Sequence, residues 1–194
     1  MRTRTRSARA RWRLTCGVAA AAAGTLTAAA GTGVAAAGEL PITQQVQQQD
    51  QWCWAASGLT IAKYFGVGNV SQNDFCNLAR GYPRGGYCPN QAGQLQWDQR
   101  AFQALGLSPG YVSGPLSFQG VESEIDGRRP VQTGIYWSAG GGHSQVIYGY
   151  DPYSRTISYG DPWPSSPRYS EMAYSSYVSN YQFQWGQALS GIGG

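Results

Sequence analysis

A thiol, an imidazole and a carboxylate occur in this chain in an order that suits nucleophilic catalysis. Cys53 lies in Gln51-Trp52-Cys53-Trp54-Ala55-Ala56-Ser57, where a polar loop gives way to small and apolar residues. His143, the only histidine, follows Gly140-Gly141-Gly142 and opens an apolar stretch. Asp161 comes 18 residues later. In such a set the thiol attacks, the imidazole takes and returns its proton, and the acid holds the imidazole in one tautomer. Taken singly, a lone cysteine or histidine is as readily a buried structural residue. Asp151 is the rival acid, but Pro152 follows it and Asp151–Ser154 reads as a turn. An oxyanion needs donors, and the Cys53 backbone N–H with an upstream glutamine amide would supply them. Gln44, Gln45, Gln47, Gln48, Gln49 and Gln51 all crowd that segment, and a solvated polar loop is the plain reading of them. One histidine and one free cysteine do not make the four ligands of a closed zinc site. Gly140–Gly142 lacks the lysine and helix of a phosphate loop. Neither metal nor cofactor is expected.

These groups need elements to carry them. From Trp54 to Phe65 small and apolar residues crowd together, which predicts a helix buried on most sides, ended by Gly66 and Gly68. A helix starting at Cys53 would aim its first N–H groups at the sulfur and favour thiolate. Ser71, with Asp74 three residues on, predicts the start of a second helix. A third is expected over 91–105 and a short fourth over 118–126. After Pro130 the pattern changes. Segments 131–137, 144–150 and 156–159 read as strands, and the aromatic stretch 177–185 as a final strand. Helices first and strands second predict an α+β fold with segregated layers.

Bulk composition is informative once the N-terminus is set aside. Six arginines, from Arg2 to Arg13, precede an Ala-rich apolar stretch, and Ala35-Ala36-Ala37 offers a small-residue cleavage site. That is the pattern of a secretory signal peptide over 1–37. A membrane anchor is the competing reading, but alanine broken by Gly and Thr is weakly apolar. The chain carries 14 basic and 10 acidic residues, a net +4. Without the six N-terminal arginines, 8 basic and 10 acidic remain, a net −2. The basic character therefore gives no reason to expect nucleic-acid binding. Residues 38–194 suit one domain. Secretion implies an oxidising environment. Cys76 and Cys88 flank a Gly- and Pro-containing turn and are expected to pair, leaving Cys53 free.

Four blocks resemble the papain-like cysteine peptidases. Cys53-Trp54-Ala55 is similar to the family's nucleophile at the start of its central helix. Gln47, six residues upstream, stands where the family keeps its oxyanion glutamine. His143-Ser144, with Gly149-Tyr150 at offsets six and seven, is similar to the family's histidine block. Asp161-Pro162-Trp163 takes the place of Asn-Ser-Trp, with aspartate for asparagine as in compact bacterial members, including secreted and effector forms. Segment 71–130 has no match. The resemblance implies a helical half whose central helix begins at the nucleophile, and a twisted antiparallel sheet facing it across a cleft. It implies Cys53, His143, Asp161 and Gln47 as catalytic residues. Trp52, Trp54 and Trp163 are candidate cleft walls, with aromatic core packing as the plain alternative. It further implies a protein or peptide substrate; the signal pattern and the charge balance add secretion and no membrane or nucleic-acid partner, and a monomer is expected. No large inhibitory pro-segment is expected, so latency would come from cysteine oxidation or a proteinaceous inhibitor.

Two other readings share these residues. A Cys-His-Asp amidase or acyl transferase, acting on cell-wall peptides or joining glutamine to amines, uses the same nucleophile logic. A binding module on the same fold would keep the shape without the chemistry. The intact set of three residues argues against the module. Trp54 and the glutamine at offset six favour the peptidase over the transferase.

Overall fold

A computed structural model describes residues 37–194. The expected signal segment lies outside the described residues, apart from its last position. Strand β1 (Gly38–Glu39) leads into an extended, Gln-rich stretch and then helix α1 (Cys53–Tyr64). Every residue from Trp54 to Ala62 is buried, as the crowding of small and apolar side chains predicts. Gly58 lets α1 approach its neighbour, because a Cβ there would sit 2.5 Å from the Phe75 ring. Phe75 belongs to α2 (Gln72–Arg80). The Ser71 hydroxyl caps this helix by accepting from the Asp74 N–H at 2.9 Å, and Gly81 ends it with φ 73°. Helix α3 (Leu95–Ala104) packs Phe102 edge-on against Phe75.

The third helix starts four residues later than its sequence suggests. Residues 91–94 stay extended because they pack on the start of α1: the Trp54 indole N–H donates to the Gln91 carbonyl at 3.1 Å. A Cβ on Gly93 would lie 2.3 Å from the Trp54 ring, so glycine is needed there.

Strand β2 (Ser108–Ser113) and helix α4 (Phe118–Asp126) follow. Then come β3 (Val131–Trp137), β4 (Gly142–Asp151), β5 (Thr156–Gly160), β6 (Tyr169–Ala173), α5 (Tyr174–Val178) and β7 (Phe183–Gly193). The strands form one antiparallel sheet in the order β2-β7-β3-β4-β5-β6, with β1 paired to β4 opposite Gly149 and Tyr150. Asp151 is the last residue of β4 and holds the turn that follows, accepting from the Tyr153 N–H and the Ser154 hydroxyl at 2.8 Å.

The C-terminal stretch corrects an expectation. Residues 174–178 are helical, and the last strand starts at Phe183 rather than at Tyr177. The Asn180 carboxamide accepts from the N–H groups of Gln182 and Phe183 and forms the corner between them. Beyond it the tail pairs with both β2 and β3 and buries Ala188, Leu189 and Ile192. The layers are also less segregated than expected, since β1 and β2 come from the first half. Among the described residues no helix is long and apolar enough to cross a membrane.

Candidate active site

Cys53 is the first residue of α1 and is half-buried, and it is the free cysteine of the described residues. Trp52 precedes it as N-cap and offers no side-chain acceptor. The first N–H groups of α1 therefore have no capping side chain, and the helix dipole favours negative charge there. Cys53 opens onto a cleft of about 1070 Å³ that also takes in His143 and Asp161.

The β3–β4 hairpin delivers His143. Its turn needs left-handed backbone at Gly140 (φ 94°) and Gly141 (φ 85°), which glycine adopts without strain. His143 pairs with Ile135 across the ladder and is buried. Its Nε2 lies 2.8 Å from Asp161 Oδ1, a distance that requires the N–H on Nε2 and leaves Nδ1 for the sulfur. Trp137 stacks on one face of the ring, with centroids 5.9 Å apart. Trp163 meets it edge-on at 6.5 Å.

Asp161 follows β5 directly and is held by three donors. Oδ1 accepts from His143 and from the Trp163 N–H at 2.8 Å, and Oδ2 accepts from the Gln145 amide at 2.7 Å. Burial alone would raise its pKa, but these bonds and the facing imidazolium hold the carboxyl below its usual range. For His143 burial favours the neutral ring. The Asp161 hydrogen bond and the Cys53 sulfur outweigh it, and the imidazole is pushed up to about 9.

The candidate residues divide. The structure brings Cys53, His143, Asp161, Trp54 and Trp163 to one cleft. Trp52 does not line it: the residue is 3% exposed and its indole N–H is tied to the Pro89 carbonyl at 3.1 Å. Gln47 does not line it either. Its side-chain amide donates to the carbonyls of Gln49 and Asp50, both at 2.9 Å, so no N–H is free for an oxyanion. Its backbone N–H reaches the Pro162 carbonyl at 2.9 Å and ties this loop to the Asp161 loop. Cys76 and Cys88 are joined by a disulfide.

Trp137 and Gln145 escape a reading by motif. Gln145 stands two positions after His143, and strand alternation places both side chains on one face. That signal was available. Trp137 carried none beyond its aromatic type. Among the described residues no group of three or more His, Cys, Asp or Glu is placed to hold a metal.

A free cysteine at the head of a buried helix, facing a histidine–carboxylate pair on an antiparallel sheet, has the layout of a papain-like cysteine peptidase. Residues 34–182 match the model of the Peptidase_C70 family, described as papain-like cysteine protease AvrRpt2, and the chain belongs to that family. It is a cysteine peptidase. No curated protein matches it. Two solved structures share its fold. One is the peptidase domain of Streptococcus ComA, a bi-functional ABC transporter involved in a quorum-sensing pathway. It is 19% identical, with a TM-score of 0.57, over 77% of this chain and 96% of that one. The other is a double-glycine-motif protease from an AMS/PCAT transporter in complex with the leader peptide. It is 16% identical, with a TM-score of 0.51, over 81% of this chain and 95% of that one.

Proposed function

We propose that the protein hydrolyses peptide bonds through an acyl-enzyme on Cys53, with His143 as acid and base and Asp161 as its orienter. The observation that carries this is the 2.8 Å contact between His143 Nε2 and Asp161 in the cleft that Cys53 opens onto. The Cys53 thiolate attacks the substrate carbonyl carbon. The imidazolium protonates the leaving amine as the C–N bond breaks, leaving a thioester. A water then gives its proton to His143 and its oxygen to the acyl carbon, which releases the acid and the thiol.

The oxyanion faces the backbone N–H of Cys53 at the head of α1. Gln47 supports that donor by shaping the 47–52 loop, since its own amide is engaged by the loop's carbonyls. An extended peptide segment fits the open cleft. The transporter protease bound to its leader peptide has the same fold, which supports a peptide substrate here. The disulfide and the N-terminal sequence pattern support action outside the cytoplasm.

The test is cleavage of a mixed peptide library by the full-length chain, its Cys53→Ala variant and its His143→Ala variant. Wild type is expected to yield fragments with new free carboxyl and amino termini, and both variants none while keeping the wild-type circular dichroism spectrum. Cleavage by folded Cys53→Ala would end the proposal. Amide-transfer adducts without fragments would replace hydrolysis by acyl transfer.

A further inference from the structure

We propose that Gln145 and Tyr177 are positioning residues for the Asp161 carboxylate, so that helix α5 governs the orientation of the imidazole. The proposal rests on Asp161 being the orienter of His143.

Asp161 is 8% exposed, and an ionised oxygen there needs partners. Oδ1 has two, from His143 and Trp163. Oδ2 has one in the Gln145 amide, at 2.7 Å. The far end of that amide is fixed as well, because the Tyr177 hydroxyl donates to Gln145 Oε1 at 2.9 Å. Thr133 Oγ1 lies 2.8 Å from the same hydroxyl and 3.3 Å from the Gln145 main-chain carbonyl; given to the nearer oxygen, its proton completes the run Thr133, Tyr177, Gln145, Asp161. All three supporting side chains are buried.

The direction of this run matters. An amide has a donor end and an acceptor end of nearly the same shape. If Gln145 turned over, its carbonyl oxygen would face the carboxylate and push it off His143. The Tyr177 hydroxyl, held as a donor, makes that turn unfavourable. Tyr177 is itself clamped by the rings of Tyr159, Phe183 and Trp185, with centroids 5.1 to 5.7 Å away. The packing of the C-terminal segment thus reaches the imidazole through three hydrogen bonds.

Charge does not explain the arrangement. Cys53 on α1 faces the imidazole from one side and Asp161 from the other, and Asp98 on α3 lies behind the sulfur. Around Asp161 stand Tyr159 on β5, Tyr177 on α5, and Arg168, whose guanidinium binds the Asp161 main-chain carbonyl. Gln145 carries no charge, and burial pushes the Tyr177 phenol far above its ordinary value, so it stays neutral. Changing either residue alters orientation and leaves net charge alone.

His143 is the only histidine in the chain, so its ring protons in an untagged full-length protein report one titration by NMR. Wild type is expected to titrate at about 9. Tyr177→Phe and Gln145→Leu should move the midpoint down toward the ordinary value of about 6.5. Gln145→Leu should also lower kcat for peptide cleavage about 10-fold, the lower end of what the loss of a partner that orients a metal ligand costs, with KM unchanged. Tyr177→Phe should do the same to a smaller extent. Asp161→Asn is the reference. If it lowers the midpoint while Tyr177→Phe and Gln145→Leu leave it at the wild-type value, this proposal is overturned and the reading of Asp161 stands. If Asp161→Asn changes nothing, that reading fails first. Should Gln145→Leu not fold, Tyr177→Phe decides alone, since it removes one oxygen and keeps the ring.

Discussion

His143 carries its proton because two partners outweigh its burial, and stability should follow. Its pKa rises from 6.5 to about 9 on folding. A raised value means that the folded state holds the proton more tightly. The resulting stabilisation is complete below about 6.5 and is lost as pH rises through about 9. Its size is on the order of 3 kcal/mol for a shift this large. Urea unfolding at pH 6, 8 and 10 should show wild type losing stability over that window, and Asp161→Asn losing much less. Equal slopes in the two proteins would show that the His143–Asp161 pair is not the source. The convergence of these residues was legible from order and neighbours: Cys53-Trp54-Ala55, His143-Ser144 and Asp161-Pro162-Trp163 marked Cys53, His143 and Asp161, which line one cleft. The engagement of Gln47 was not legible. Which carbonyl a glutamine amide meets depends on how the loop folds back, and the loop folds back on the Pro162 carbonyl, over a hundred residues away.

At the level of elements, local signals governed some boundaries and long-range packing governed others. Ser71 and Asp74 mark the start of α2, and Ser117 caps α4 on the Gly120 N–H, because caps act within one turn. The change of pattern after Pro130 marked β3, β4 and β5. The late start of α3 has no local cause; it follows from Trp54 lying against Gly93. Helix α5 and strand β7 were hidden for a similar reason, since Tyr177 is drawn inward by a polar run and by aromatic rings. The Gly93 contact makes a sharp prediction. Gly93→Ala would force a Cβ to within 2.3 Å of the Trp54 ring. Overpacking of that kind costs about 1–3 kcal/mol. The strain falls on the cleft wall, so kcat/KM for peptides should drop along with the melting temperature. A variant with a lowered melting temperature and unchanged kcat/KM would show that this wall does not shape substrate binding. The Cys76–Cys88 bridge acts farther back, tying α2 to the segment that leads to this wall. Replacing both cysteines by alanine should cost on the order of 3 kcal/mol, as loops of that length do. The rate of Cys53 alkylation by iodoacetamide in the folded protein should stay the same.

Across the whole molecule the helical half and the sheet are joined by a buried polar knot beneath the cleft. The Gln132 amide on β3 shares its two N–H groups among three acceptors, the Trp54 carbonyl on α1 at 3.1 Å, Asp98 on α3 at 2.8 Å and the Ser144 hydroxyl on β4 at 3.2 Å. The Ser57 hydroxyl on α1 returns a bond to the Ser144 carbonyl at 3.1 Å. Asp98 is fully buried, and burial raises its pKa well above the ordinary carboxylate value; the Gln132 bond opposes this and the nearby Cys53 charge adds to it. Two acids near the Cys53–His143 pair are thus shifted in opposite directions. Asp161 stays ionised opposite the imidazole, and Asp98 resists ionising behind the sulfur, which spares a thiolate a second buried anion. The sign of the consequence is fixed. A carboxyl with a raised folded value favours folding at low pH, and that advantage fades as pH rises from about 3.8 through the folded value. Asp98→Asn keeps the shape and removes the titration. Relative to wild type, Asp98→Asn should gain stability steadily as pH rises above 4, measured by urea unfolding across pH 4–9. In a Cys53→Ala background the gain should be smaller, because the neighbouring negative charge is gone. A variant that instead loses ground to wild type as pH rises would mean that Asp98 is ionised and favourably paired. The carboxylate would then belong to the charge balance of the site, and a buried anion behind Cys53 would have to be reckoned with in every step of the reaction.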